Sequence, residues 1–453
     1  MSTVTQAQDS YLESFARFEE GAAGSGQEWL RSIRRAAMAR FSELGFPTVH
    51  EEDWRFTNVA PIAETSFRFA QDDRVEPTRR DLDRFGFSDL FGFSDLAGIR
   101  LVFVNGRYEP GLSRLQPLPE GVRVGSIVHE LTTDPGMLEQ HLGQYADYQH
   151  DAFCALNTAF LEDGAFVHVP RRTVLSEPIY LLHLSSPTAG PAVTHPRNLI
   201  VVDDESQASI VEDYVSLSED VHLSNVVTEV VVGESSALSH YRIERESTRG
   251  FHISTLRVQQ GRSSNVESHS LLVGGALVRN NVHFVLAGEG GDCLINGLFM
   301  GTGQQHLDNY MKVEHASPQC NSRQFYNGIL DGQSGGVFHG RIIVHKDAQK
   351  TNAKQTNRNL LLSEEAQIDT KPQLEIHADD VKCTHGATIG QIDEDAIFYL
   401  RSRGIAEASA RALLLEAFAG ESLRRMNDES IRKRLEGLVK RWLPRGRPLE
   451  EAR

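Results

Sequence analysis

The 453-residue chain contains only four cysteines, Cys154, Cys293, Cys320 and Cys383. No two form a CxxC pair, so neither a disulfide framework nor a paired-cysteine zinc site is present. Such sparse cysteine usage points to a reducing compartment. No run approaches the ~18 apolar residues of a membrane helix. The opening residues MSTVTQAQDSYLESF lack a basic region followed by an apolar one, so the expected location is the cytoplasm. Positive charge is also scarce: the formal net charge is −16, which argues against nucleic acid and anionic membranes as partners. There is no G-x-x-x-x-G-K-[ST] phosphate loop and no H-E-x-x-H zinc helix. Proline is missing altogether between residues 197 and 317.

What is present divides into three stretches, as ~150 residues per folding unit leads one to expect. Residues 1–164 read as a mixed, mainly helical region. A helix over 25–46 has Trp29, Ile33, Ala37, Phe41 and Leu44 at helical spacing, a capping box from Ser25 to Glu28, and Gly45 with Pro47 as its stop. PTVHEEDWRFTNVAPI (47–62) is irregular and aromatic at its centre. FGFSDL occurs twice in tandem, at 85–90 and 91–96, too short a duplication for a repeat fold. IRLVFV (99–104) reads as a strand, with a turn at NGR. Residues 126–163 carry helical spacing that includes Leu138, Leu142, Tyr145 and Tyr148.

Residues 165–390 have a different texture. Short Val-, Ile- and Tyr-rich runs such as NLIVV, NVVTEVVV, HISTLRV, NVHFVL and GRIIVH alternate polar and apolar positions. Gly, Asn, Asp and Ser fill the gaps. Proline cannot donate to a central ladder, so its absence from 197–317 fits a continuous sheet system. A sandwich, a propeller and a parallel β-helix all satisfy this pattern. Residues 391–453 return to helices: one capped by Asp393 and ending at Gly404, one through Ala408, Ala412, Leu415 and Phe418, and one through Ile431, Leu435, Leu438 and Trp442. They read as a separate amphipathic layer, so a chain cut after Gly390 is expected to keep a folded β core. Residues 401–453 hold 13 basic and 8 acidic side chains, leaving the rest of the chain at −21. This cationic segment is either a docking surface for an acidic partner or a solvated helical face.

Catalytic signatures are thin. Gly332-Gln333-Ser334-Gly335-Gly336 satisfies G-x-S-x-G, but a strand-like VFHGRIIVH follows where a nucleophile elbow needs a helix, so a turn is the better reading. GEGGDC (288–293) likewise reads as turns. The pairs Asp203-Asp204 and Asp379-Asp380 would suit a carbohydrate-active β-helix enzyme. Adjacent strand residues face opposite ways, however, which leaves one carboxylate per face. Such enzymes are usually secreted, against the expected cytoplasmic location. The best constellation is Cys383-Thr384-His385 in VKCTHGATIG. In an extended segment, residues two apart share a face, which would project a thiol and an imidazole together. Both suit zinc or iron, but two ligands do not close a four-coordinate site. Glu375 and His377 could converge, or a second chain could supply the rest. Taken on spacing alone, a buried free cysteine is more commonly core filler.

The long segment KTNAKQTNRNLLLSEEAQIDTKPQLEIHADDVKCTHGATIGQIDEDAIFYLRSRGI (350–405) resembles the SufB/SufD family of iron–sulfur cluster assembly proteins. CTHGATIGQID (383–393) is similar to the SufD branch, because Gly386 stands where SufB has a glutamate. PTVHEEDWRFTNVAPI and LNTAFLEDGAFVHVP (156–170) resemble further family segments. The resemblance implies a right-handed parallel β-helix core flanked by N-terminal and C-terminal helical regions. It also implies a non-catalytic scaffold subunit that works with a SufB-like paralogue through the β-helix and a SufC-like ATPase through the C-terminal helices, pairing with itself when alone. A transient iron–sulfur cluster would be shared with the partner, with His385 as the first candidate ligand and Cys383 as the second. The family is further linked to iron acquisition and flavin, for which this sequence offers no assignable residues.

Overall fold

The computed structural model describes residues 3–22, 26–70 and 98–443. The FGFSDL duplication and Ser25 lie outside these. The central stretch forms a parallel β-helix in which successive strands alternate between an 11-stranded and a 10-stranded sheet. In the 10-stranded sheet, Asn265, Asp292, Asn321, Asn352 and Lys382 stack in register, so one turn of the coil takes 27 to 31 residues. This selects the β-helix from the three architectures that alternation alone allows.

Two features hold successive turns in line. The first is the inward column of side chains. Val266, Cys293, Ser322, Ala353 and Cys383 lie one above another, as do Leu272, Phe299, Gly328, Asn359 and Ile389. Val266, Cys293, Leu272 and Phe299 are buried in the main apolar core. The second is a stack of corners. Glu205, Ser235, Ser263, Gln319 and Lys350 all have φ between 52° and 63°. Left-handed backbone costs such residues on the order of 1 kcal/mol each. Each N–H in compensation donates to a carbonyl of the next turn, at 2.7–2.9 Å: Glu205 to Glu234, Ser235 to Arg262, Ser263 to Glu289, Gln319 to Gln349, and Lys350 to Asp380. The paired aspartates belong to these corners. Asp204 Oδ1 accepts from Glu234 N at 2.7 Å, and Asp380 pairs with Lys350. Gly332 is a corner too, with φ 65°, and the strand Gly335–Val344 follows it as the turn reading of G-x-S-x-G requires.

Helices cover the two outer faces. On the 11-stranded side, helices Thr3–Gly21 and Glu28–Leu44 pack an aromatic cluster of Tyr11, Phe15, Phe41, Phe153 and Phe160 over Leu223, Ile253 and Leu277. The second helix starts at Glu28 with Gln27 as its N-cap and no side-chain cap bond, and the expected capping box from Ser25 falls outside the described residues. Gly45, at φ 66°, ends it as read. Arg34 is buried within this layer and donates to Leu161 O at 2.8 Å. The 126–163 stretch yields three short helices, Ile127–Thr133, Gly136–His141 and Ala152–Ala159, and Tyr145 and Tyr148 fall between them. The EDW segment is clamped to the same face. The Arg279 guanidinium lies 4.1 Å from the Trp54 ring and 4.8 Å from that of Tyr310. Arg279 and Thr57 both bond Asp308 Oδ2.

On the 10-stranded side lie helices Glu394–Ser402, Glu407–Leu423 and Glu429–Trp442, the first and third capped by Asp393 and Asp428. They are not a separable layer. Leu415, Ala419, Leu423, Ile431 and Leu435 pack on Tyr241, Ile243, Leu271, Leu298 and Ile329, the outward residues of the sheet. Asn296 and Asn327 donate to Ser422 O and Phe418 O, each at 3.0 Å. Cutting the chain after Gly390 would strip an apolar sheet face, which weighs against the expectation that the core tolerates that cut.

Gly297 shows how tightly the interior is filled. A Cβ there would sit 2.1 Å from the Tyr326 ring, which lies across it to bring its hydroxyl 3.2 Å from Ser270 Oγ. Gly297→Ala should therefore destabilise the chain by about 1–3 kcal/mol through overpacking. Gly386→Ala, where a Cβ meets nothing within 4 Å, should leave the melting temperature nearly unchanged. Equal melting temperatures for the two variants would contradict this packing.

Candidate functional site

The last turn of the coil has a neighbour on one side only. Strand Lys382–Gly390 pairs with Asn352–Leu361, and strand Gln367–Ile376 pairs with Gly335–Val344, with no strand beyond either among the described residues. Pro372 is tolerated within such an edge strand, where a missing donor is least costly. Two consequences follow for this end of the molecule. One edge of backbone donors and acceptors is unpaired in each sheet. The inward column also surfaces, so residues equivalent to buried positions elsewhere meet solvent.

Cys383 and His385 occupy that inward column. Cys383 stacks on Ala353 and His385 on Gln355, both of which are buried. The period-2 inference that thiol and imidazole share a face thus holds in register. Cys383 is half-buried against Ala353, Ile342 and Val344, whereas His385 is exposed. Burial pushes the Cys383 thiol up, and no cationic side chain offsets it. A metal ion would have to displace the thiol proton by its own charge. Glu375 does not join the pair. It sits beside the inward-facing Leu374 and Ile376 positions, points the other way, and binds Arg341 at 2.7 Å. His377 follows the end of the same strand, in the opposite sheet from Cys383.

The floor under His385 is a ladder of amides that sequence reasoning did not pick out. Gln355 Nε2 donates to Gln324 Oε1 at 2.9 Å. Gln355 Oε1 and Gln324 Nε2 are buried without partners. Asn359 Nδ2 donates to Asn357 Oδ1 at 2.6 Å. Gly340 makes room for this ladder, since a Cβ there would come within 1.9 Å of Gln355 Nε2. Only the register shows that Gln324, Gln355 and His385 form one column. The rim of the open end is apolar: Ile376 is 40% and Ile389 50% exposed. Chemically, this is an incomplete ligand set. It offers one thiol and one imidazole beside unpaired strand edges, with an apolar rim suited to a second chain.

The chain matches the family model described as "SUF system FeS cluster assembly, SufBD core domain" over residues 184–418. Residues 5–181 match the model described as "SufBD protein N-terminal region". The chain is 34% identical, over 92% of each sequence, to an iron–sulfur cluster assembly SufBD family protein of Synechocystis sp.. Its identity to the iron–sulfur cluster assembly protein SufD of Escherichia coli is 32%, across 89% of this chain and 90% of the relative. A chloroplastic protein of Arabidopsis thaliana, ABCI7, is 30% identical across 91% of this chain. Among the described residues, no helix is long and apolar enough to cross a membrane.

The four thiols should differ sharply in reactivity. Cys154, Cys293 and Cys320 are buried, with thiols pushed up by burial, and Cys383 alone is partly open. Maleimide applied to the folded chain should label Cys383 at least tenfold faster than any other thiol, as read by peptide mass mapping. Equal labelling of Cys320 would contradict the described terminal turn.

Proposed function

Because the chain belongs to the SufBD family of iron–sulfur cluster assembly proteins, we propose that it is a non-catalytic scaffold subunit of a cytoplasmic, ATP-driven assembly complex. Its open β-helix end pairs with a SufB-like paralogue, or with a second copy of itself when alone. Its C-terminal helices carry a SufC-like ATPase, consistent with the lack of a phosphate loop in this sequence. A nascent cluster, the cargo of the complex, and the iron acquired for it are held where the two β-helix ends meet. His385 is the principal ligand from this side and Cys383 the second.

The observation that carries this reading is the position of Cys383 and His385 on the inward column of the last turn, beside two unpaired strand edges. A partner strand added to either edge satisfies the free backbone groups and brings its own side chains over the same column. The remaining ligands then come in trans, which explains why this chain holds only two. Sparse and mixed ligation also suits a cluster that must be released. The ATPase assignment draws on a second surface. Helix Glu394–Ser402 presents Phe398 and Tyr399 at 74% and 57% exposure, with Leu413 of the next helix at 48%. Leu413 lies within the cationic 401–453 segment, and Phe398 and Tyr399 stand just before it.

His385→Ala separates a ligand from a structural residue. The side chain is exposed, so its removal should change stability by no more than ~0.5 kcal/mol and leave complex assembly intact. Iron and acid-labile sulfide on the purified complex should fall several-fold. Normal cluster content in a complex that assembles normally would overturn the ligand assignment.

A further inference from the structure

The interior of the coil holds a second ligand-bearing cluster, midway along the stack of turns and several turns from His385. We propose that Glu244, Glu246 and His252, with His222 at the outer side, form a binding site for one divalent first-row cation of the Zn2+ or Fe2+ class. Glu244 ends the run of inward residues on strand Ala237–Arg245, and Glu246 lies two residues on. His252 and His222 come from the starts of strands Phe251–Gln260 and His222–Val232 in the facing sheet. One donor atom from each of Glu244, Glu246 and His252 lies within 4.8 Å of the other two. Ligands ~2.1 Å from an ion stand roughly 3–4 Å apart, so side-chain shifts on the order of 1 Å close the set. His222 Nε2 is 3.2 Å from Glu246 Oε1, and His252 Nδ1 is 2.8 Å from Glu246 Oε2. Mixed imidazole and carboxylate donors suit these cations.

Two observations point to an ion rather than to a self-contained hydrogen-bonded knot. Glu244 is fully buried beside a second carboxylate and has no ion pair of its own among the described residues. Its oxygens accept only from the backbone N–H groups of Glu246 and Gly274, at 2.9 and 3.1 Å. A buried carboxylate without a counter-charge is strongly disfavoured, and a cation supplies that charge. His252, also fully buried, has an Nε2 with no partner. His222, with Ser185 and Asp220, also lines a small cavity of about 10 Å³, room for about one water molecule. Enclosed among buried side chains, the ion enters as the chain folds and thereafter resists chelators. This inference does not depend on the scaffold reading.

The test uses the full chain, unfolded with chelator and refolded with or without Zn2+, then passed over chelating resin. The wild type should retain about one Zn2+ per chain and melt at a higher temperature than the metal-free preparation. Glu244→Gln and His252→Gln should each retain at least tenfold less. The double variant Cys383→Ser/His385→Ala should retain as much as wild type. Refolding with Co2+ gives a reading that needs no variant: weak visible bands of nitrogen and oxygen ligation, without sulfur-to-cobalt charge transfer. No retained metal in the wild type, full retention by Glu244→Gln, or loss of metal in the Cys383/His385 variant would each overturn the assignment.

Discussion

A parallel coil of strands satisfies its backbone only by having another turn above it, and everything at the functional end of this molecule follows from the turn that has none. Between Gln207 and Gly390 each strand hydrogen-bonds the strand one full turn away, never its neighbour in sequence. The corners add a second stack of bonds, from left-handed residues such as Ser235 and Lys350 to carbonyls one turn on. Helices seal the two outer faces but cannot seal the end of the coil. An edge of this kind invites pairing with another chain. The thiol and imidazole lie on that edge.

The interior changes character along its length. Near the middle it is filled by Cys293, Ile295, Phe299 and Phe284. Towards the open end the column of Ile295 carries Gln324 and Gln355, that of Phe299 carries Asn359, and Asn357 lies between them. Buried amides with unmet hydrogen-bonding capacity, as at Gln355 Oε1, carry a cost that a purely structural core would avoid. Placed beneath His385, they give the last turn a polar floor against which an exposed imidazole and a charged cargo can sit. Ile376 and Ile389 leave apolar surface exposed beside it.

Much of this was legible from residues alone, and the rest failed for identifiable reasons. Period-2 alternation marked the strands, and the C-x-H spacing placed Cys383 and His385 on one face, as the register confirms. The 27-to-31-residue turn was not legible. Its stacked positions are filled by unlike residues, such as Val266, Cys293, Ser322 and Ala353, because any side chain of suitable volume serves. The corners hid for a related reason: they use Glu205, Ser235 and Gln319 where glycine or asparagine would have signalled left-handed backbone. The amphipathic helices at 407–442 read correctly as helices, but what their apolar face covers, the outer face of the sheet, was not legible. Periodicity shows an apolar face, not what it covers. The amide floor needed three-dimensional register, since Gln324, Gln355 and His385 are about 30 residues apart.

The central claim is that the last turn is half of a site completed by another chain. Hydrogen exchange on strand Lys382–Gly390, in the dilute isolated chain and in the complex with a SufB-like paralogue, tests it most directly. Amides of this strand that face away from Asn352–Leu361 should exchange rapidly in the isolated chain and slow by at least tenfold in the complex. Protection that appears only elsewhere on the surface, with exchange of Lys382–Gly390 unchanged, would contradict the account.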